Sequence, residues 1–217
     1  MANSAGGGIR EILQAARPAD LGDGSATGQG RALLEALDTV LHGRRHAVYV
    51  STPITTGPEF IAWWRANSNR VGSDRVAYQR EMASVIENNI AAVRPLVDRV
   101  EARFQAPVID PTRLDSMPGW DQPDYHRFWV SVIERFVTTV VFADGWPYSS
   151  GCAVEFAAAS RCRLTILDAR LDAISPAAGR EALASAARTV EESGLDASSQ
   201  WAAVTALEGI ARLGTAS

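Results

Sequence analysis

Four short apolar runs, each closed by a proline or an aspartate and each separated from the next by a helical pattern, set the fold class of this chain. They are residues 46–52 (HAVYVST), 107–110 (PVID), 137–143 (VTTVVFA) and 164–168 (LTILD). Strands this short and this continuously apolar are buried on both faces, as in parallel sheets. The expectation is an α/β fold: a Rossmann-like (flavodoxin-like) parallel sheet of four or five strands flanked by helices, with extra helices at the C-terminal end. Ligands of such sheets bind beyond the carboxyl ends of the strands. The loops after Thr52, Asp110, Ala143 and Asp168 therefore share one edge, and the chemistry is expected there.

Apolar spacing predicts a helix over 31–42, with Leu33, Leu34, Leu37, Val40 and Leu41 on one face. Further helices are predicted over 78–104, kinked or split at Pro95, then over 124–136 and 150–161. Two more fall within 176–213, divided near Ser193 and Gly194. Residues 55–76, which hold Trp63 and Trp64, form a long connection, either functional or ordered by a helix of its own. Residues 1–30 are rich in Gly, Ala and Ser and suggest a flexible leader with one short helical stretch at 9–16. The expected organisation is thus a leader (1–30), an α/β domain (31–175) and a helical extension packed on it (176–217).

Charge and composition limit the partners. The net charge is −4, and all 21 basic residues are scattered arginines. A mildly acidic chain without a basic stripe argues against duplex nucleic acid. No apolar run approaches the roughly 20 residues of a membrane span, and the first residues lack the basic and apolar regions of a secretory signal. Cys152 and Cys162 are too few for a disulfide framework and lack metal-ligand spacing; His42 and His46 have no ligand-like partner. The expectation is a cytoplasmic protein with a small-molecule partner, no membrane contact, no cofactor and no metal.

The most informative segment is 140–159, VVFADGWPYSSGCAVEFAAA. A strand feeds a short loop, and Ser149-Ser150-Gly151 opens a helix. Serine there caps free backbone N–H groups, and the same N–H groups can hold a phosphate. Glu155 is the only charge in GCAVEFAAA, a helix apolar on nearly every face, so its carboxylate is expected to be buried. A buried carboxylate is either paired with an arginine or placed at a functional site. It is no capping-box acid, because it lies five residues after Ser150 and six after Ser149.

These residues resemble the nucleoside 2-deoxyribosyltransferase superfamily, which includes the nucleoside 5′-monophosphate N-glycosidases. The likeness rests on the VVFA strand, Ser149-x-Gly151 with Glu155 four residues on, and Tyr49-Val-Ser-Thr-Pro53 in an earlier strand. Gly145-Trp146 before the serine looks most like a bacterial branch of that superfamily. The resemblance covers about residues 46–168.

The resemblance implies that Glu155 is a nucleophile attacking the sugar C1′, and that Tyr49 orients it through its hydroxyl. Ser149 matches the position that binds the 5′-phosphate in the monophosphate hydrolases. The family's acid, which serves the leaving base, counts back to Ser131 here; Asp124, two turns earlier with His126 beside it, is the first candidate for that role, and Asp144, at the strand's carboxyl end, is the second. Members that bind phosphate carry an arginine after the first strand, which this chain lacks, so Thr55, Thr56, the Gly57 backbone or Arg65 would substitute. Pro53, Ser150, Gly151, Asp144 and Trp146 complete the expected substrate-binding set, with Trp63, Trp64 and Trp120 as further residues to stack on a base. The substrate is expected to be a nucleoside or nucleotide, with a dinucleotide such as NAD as a variant. A non-catalytic nucleotide sensor on the same fold is the alternative. The alanine-rich C-terminal helices are an expected contact for a homo-oligomer.

Overall fold

The computed structural model describes residues 25–71 and 75–214, together with Ile9 and Leu13. Its strands are β1 (Ala47–Ser51), β2 (Val108–Ile109), β3 (Val137–Phe142) and β4 (Thr165–Leu167). Its helices are α1 (Ala26–Val40), α2 (Pro58–Val71), α3 (Arg75–Arg103), α4 (Gln122–Phe136), α5 (Ser150–Arg161), α6 (Pro176–Glu192) and α7 (Ser198–Gly214). All strand pairs are parallel, in the order β2-β1-β3-β4. The fold is the expected α/β architecture, a four-stranded parallel sheet flanked by helices. The chain leaves β1 for one side of the sheet and returns to its other side at β3, so the topological switch point lies between these two strands.

Every residue of β1 is buried, and its alternation sorts the core into two layers. Ala47 and Tyr49 face the larger layer, with residues of α1, α4, α5, α6 and α7. Val48 and Val50 face the smaller one, covered by Val93, Leu96, Val97 and Val100 of α3. That i, i+3, i+4, i+7 spacing is the stripe a helix needs to lie on a sheet. Helix α3 runs through Pro95 without a break. Pro95 sits on its exposed side, where the carbonyl it leaves unbonded remains open to solvent.

Several boundaries differ from expectation. Helix α1 begins five residues early, capped by the Ser25 hydroxyl, which accepts from the Gly28 N–H at 3.0 Å. Gln29 is buried there and accepts from Trp120 Nε1 at 2.8 Å, so tertiary contact imposes helix on a glycine-rich stretch. Ile9 and Leu13, placed in a flexible leader by composition, are each 1% exposed within the larger core. The rest of 1–24 lies outside the described residues. The connection at 55–76 contains α2. The C-terminal helices are part of the same core, through Leu183, Ala203, Val204 and Leu207. Among the described residues, no helix is long and apolar enough to cross a membrane.

Helix α6 approaches α5 at a glycine. A Cβ on Gly179 would stand 2.0 Å from Phe156 Cζ, and Phe156 cannot yield, because it is stacked on Trp146 at 4.6 Å and tilted against Phe142 at 5.3 Å. Gly179→Ala is expected to destabilise the fold by about 2 kcal/mol, overpacking outweighing the gain in helix propensity. Thermal unfolding should show Tm lowered by roughly 4–8 °C; an unchanged Tm would show that the two helices separate freely.

Candidate active site

The site grows from the two strands that flank the switch point. Tyr49 and Ser51 are two residues apart in β1, so both side chains point to the α5 face of the sheet. Helix α5 follows β3 and lies on that face. Glu155, one and a half turns into α5, is 8% exposed. Its two oxygens are divided between the strand hydroxyls: Tyr49 Oη donates to Oε1 at 2.7 Å, and Ser51 Oγ donates to Oε2 at 2.6 Å. Among the described residues, no ion pair with an arginine involves Glu155.

Burial and hydrogen bonding oppose one another at this carboxylate. Burial disfavours the charge and pushes the Glu155 pKa up to about 7, although the Ser51 and Tyr49 hydroxyls pull it the other way. Tyr49 is fully buried, and its phenol is raised well above its ordinary value, by burial first and by Glu155 second. It remains a donor. Burial likewise pushes the Cys152 thiol up to about 12, with Glu155 adding to it, so Cys152 is no thiolate nucleophile.

Two cavities flank the loop that follows β1, and Glu155 lines neither. One, of about 340 Å³, is bounded by Thr56 and Phe60, by Gln122 and His126 of α4, by Ser150, and by Gln200 of α7. The other, of about 420 Å³, is bounded by Thr52, Pro53, Gly57, Asp144, Asn89 and Arg99. Asn89 Nδ2 ties the loop to α3, donating to the carbonyls of Ile54 and Thr56 at 3.0 Å each. Gly145 sets the loop after β3: its φ is +76°, and a Cβ would stand 2.8 Å from Pro58 Cδ.

The residues singled out in the sequence divide accordingly. Glu155 and Tyr49 meet. Pro53, Gly57 and Asp144 line the larger cavity, and Ser150 lines the smaller; Thr55 is exposed on the loop between them. Ser149 caps α5, its hydroxyl accepting from the Cys152 N–H at 3.4 Å. The Ser150 hydroxyl accepts from Gln122 Nε2 at 2.7 Å. Gly151 faces His126, whose Nε2 would be 3.6 Å from a Cβ there.

Other assignments acquire structural explanations. Asp124 forms a capping box with Asp121 at the start of α4 and an ion pair with Arg127, and its bonded partners do not include Glu155. Ser131 donates back to the Arg127 carbonyl at 2.8 Å. Trp146 is 7% exposed, with Phe156 stacked on its ring, and is a core residue. Trp63 and Trp64 lie on α2, where Trp64 Nε1 donates to the Ser193 carbonyl; Trp120 packs on Tyr125 and Phe128. Arg65 bonds Ser193 and the Thr189 carbonyl near the end of α6.

Ser51 was missed by sequence reasoning, although its i+2 spacing from Tyr49 places it on the same face. His126 is marked in the sequence only by its place beside Asp124, and no local signal marks Gln200. No protein-family model matches this chain, no curated protein matches it and no solved structure matches it.

Proposed function

We propose that this chain cleaves N-glycosidic bonds of nucleosides or nucleoside 5′-monophosphates, with Glu155 as the nucleophile. The observation that carries the reading is the buried carboxylate held by two strand hydroxyls at the switch point of a parallel sheet. A carboxylate that pairs with no arginine among the described residues and is gripped by neutral donors is aimed and moderately basic, which suits attack on carbon. The resemblance of Tyr49-x-x-x-Pro53, Ser149-x-Gly151 and Glu155 to the nucleoside 2-deoxyribosyltransferase superfamily supports the same assignment.

The chemistry takes two displacements. A Glu155 oxygen forms a bond to C1′ as the C1′–N bond breaks; the electron pair leaves on the base nitrogen, which takes up a proton. Water then attacks C1′, the bond to Glu155 breaks, the carboxylate is restored and the second proton of the water is released. Two inversions give net retention at C1′. A second base in place of water would make the reaction a transfer.

Tyr49 and Ser51 are positioning residues in this scheme, since both touch the reacting oxygens through hydrogen bonds that favour the ionised form. Tyr49→Phe removes one such bond, so the acid limb of the pH–rate profile should move up by about one to two units. An unmoved limb with a uniformly lower rate would reduce Tyr49 to packing.

The test of the reaction is chromatography of the purified protein after incubation with a panel of nucleosides, 5′-monophosphates and NAD. Free base released by the wild type and lost in Glu155→Ala supports the proposal. A non-catalytic nucleotide-binding role is the second reading, favoured by the absence of Glu155 from the lining of both cavities. Nucleotide binding with no base released from any member of the panel would select it.

A further inference from the structure

The smaller cavity contains polar atoms that the fold leaves unanswered. Gln200, on α7, is 1% exposed, and its Oε1 has no hydrogen-bond partner. Thr56 Oγ1, on the loop after β1, is in the same condition, and both residues line this cavity. A buried amide oxygen without a donor is destabilising, a cost recovered when a ligand supplies the donor. Apolar surface adjoins these atoms: Phe60 and Ile61 from α2, with Val190 and Leu195 from the α6–α7 corner. A flat, largely apolar body carrying an N–H at its edge suits such a lining.

The cavity also reaches the helix that carries Glu155. Ser150 lines it at the first turn of α5, and His126 borders it while facing Gly151. Gly151 and Glu155 are four residues apart, so His126 stands over the same face of α5 one turn closer to the cavity. The loop that begins at Ser51, a partner of Glu155, delivers Thr56 to the cavity wall.

We infer that this cavity is the subsite for the nucleobase, with Gln200 Oε1 accepting an N–H from the edge of the base and Thr56 Oγ1 answering a second polar atom. The identity of the ligand rests on the glycosidic reading of Glu155. The geometry makes α7 part of the binding site, although the sequence likeness ends near residue 168.

The test measures binding of the five common free nucleobases and of unsubstituted purine by calorimetry to the wild type, Glu155→Ala, Gln200→Leu and Thr56→Val. Gln200→Leu keeps the volume and removes the acceptor; Thr56→Val keeps the shape and removes the hydroxyl. At least one nucleobase should bind the wild type and Glu155→Ala alike, about tenfold more weakly to Gln200→Leu and about threefold more weakly to Thr56→Val. Purine should lose less to Gln200→Leu than that base does. Melting curves identify a variant that has failed to fold, in which case the remaining folded variant decides. Base binding unchanged in both folded variants overturns the inference, as does a wild type that binds none of the bases. The two proposals fail separately. Base bound through Gln200, with no base released from any nucleoside or nucleotide, keeps the subsite and overturns the reaction. Base release with unaltered KM in Gln200→Leu and Thr56→Val keeps the reaction and overturns the subsite.

Discussion

Glu155→Ala is expected to release base at least roughly 10⁴-fold more slowly than the wild type on whichever substrate the panel identifies. The magnitude follows from the role: the carboxylate supplies one of the two bonds exchanged at C1′, and neither Tyr49 nor Ser51 can replace it. Burial pushes the phenol well above its ordinary range, and an unactivated serine hydroxyl is a poor nucleophile at neutral pH. Truncation also leaves space beside the two hydroxyl donors, into which a small anion fits. Azide at millimolar concentration should restore part of the rate, attacking C1′ as the base departs, and the product should be a 1-azido sugar of inverted configuration. In the wild type the same carbon is inverted twice, so the hydrolysed or transferred product keeps its configuration. A variant as active as the wild type removes Glu155 from the reaction. Loss of activity with an azide adduct of retained configuration would instead require a different nucleophile.

The parts of this architecture that were legible in the sequence are those whose signal is local. The four strands were readable because a parallel strand buried on both faces has no polar alternation to confuse it, and α5 was placed residue for residue because Ser149 caps it and Arg161 closes an otherwise alanine-rich run. Glu155 stood out for the same reason, a single charge on an apolar helix. Its partners depended on pairing between distant elements. Ser51 required knowing that Tyr49 faces α5. Asp124 carries two local signals at once, because the Asp-x-x-Asp spacing that builds its capping box also puts an acid on a helix face near the expected edge. The start of α1 was hidden by Gly28 and Gly30; Trp120, just before α4, packs on this turn, bonding Gln29 through its Nε1, and a Cβ on Gly30 would meet its ring at 3.6 Å. Gln200 carried no signal at all. Its burial is created by the meeting of α7 with the rest of the core, and one glutamine beside Trp201 in an amphipathic helix gives no local clue to that.

The wild type is expected to lose stability relative to Glu155→Gln as pH rises from about 4.5 to 8. Glu155 has a folded-state pKa of about 7 because burial penalises its charge, whereas an unfolded glutamate titrates near 4.3. Below the unfolded value both states carry the proton, and the group is neutral to stability. Between the two values the folded state binds the proton and the unfolded state does not, so each rise of one pH unit removes about 1.4 kcal/mol from the wild type. Above the folded value both are ionised and the loss levels off at about 4 kcal/mol, about 3 kcal/mol of it between pH 4.5 and 8. The glutamine side chain of the variant has nothing to titrate, keeps an acceptor for one hydroxyl and fills the same volume. The Tm of Glu155→Gln minus that of the wild type should therefore grow by roughly 6–12 °C across this range, most of it below pH 7. A difference constant with pH would mean that Ser51 and Tyr49 hold the carboxylate ionised against its burial, and the acid limb of the reaction would then fall near the ordinary glutamate range. A difference that grows as described fixes the opposite condition: near neutral pH about half of the molecules carry the nucleophile protonated, and the rate follows the ionised fraction upward through pH 7.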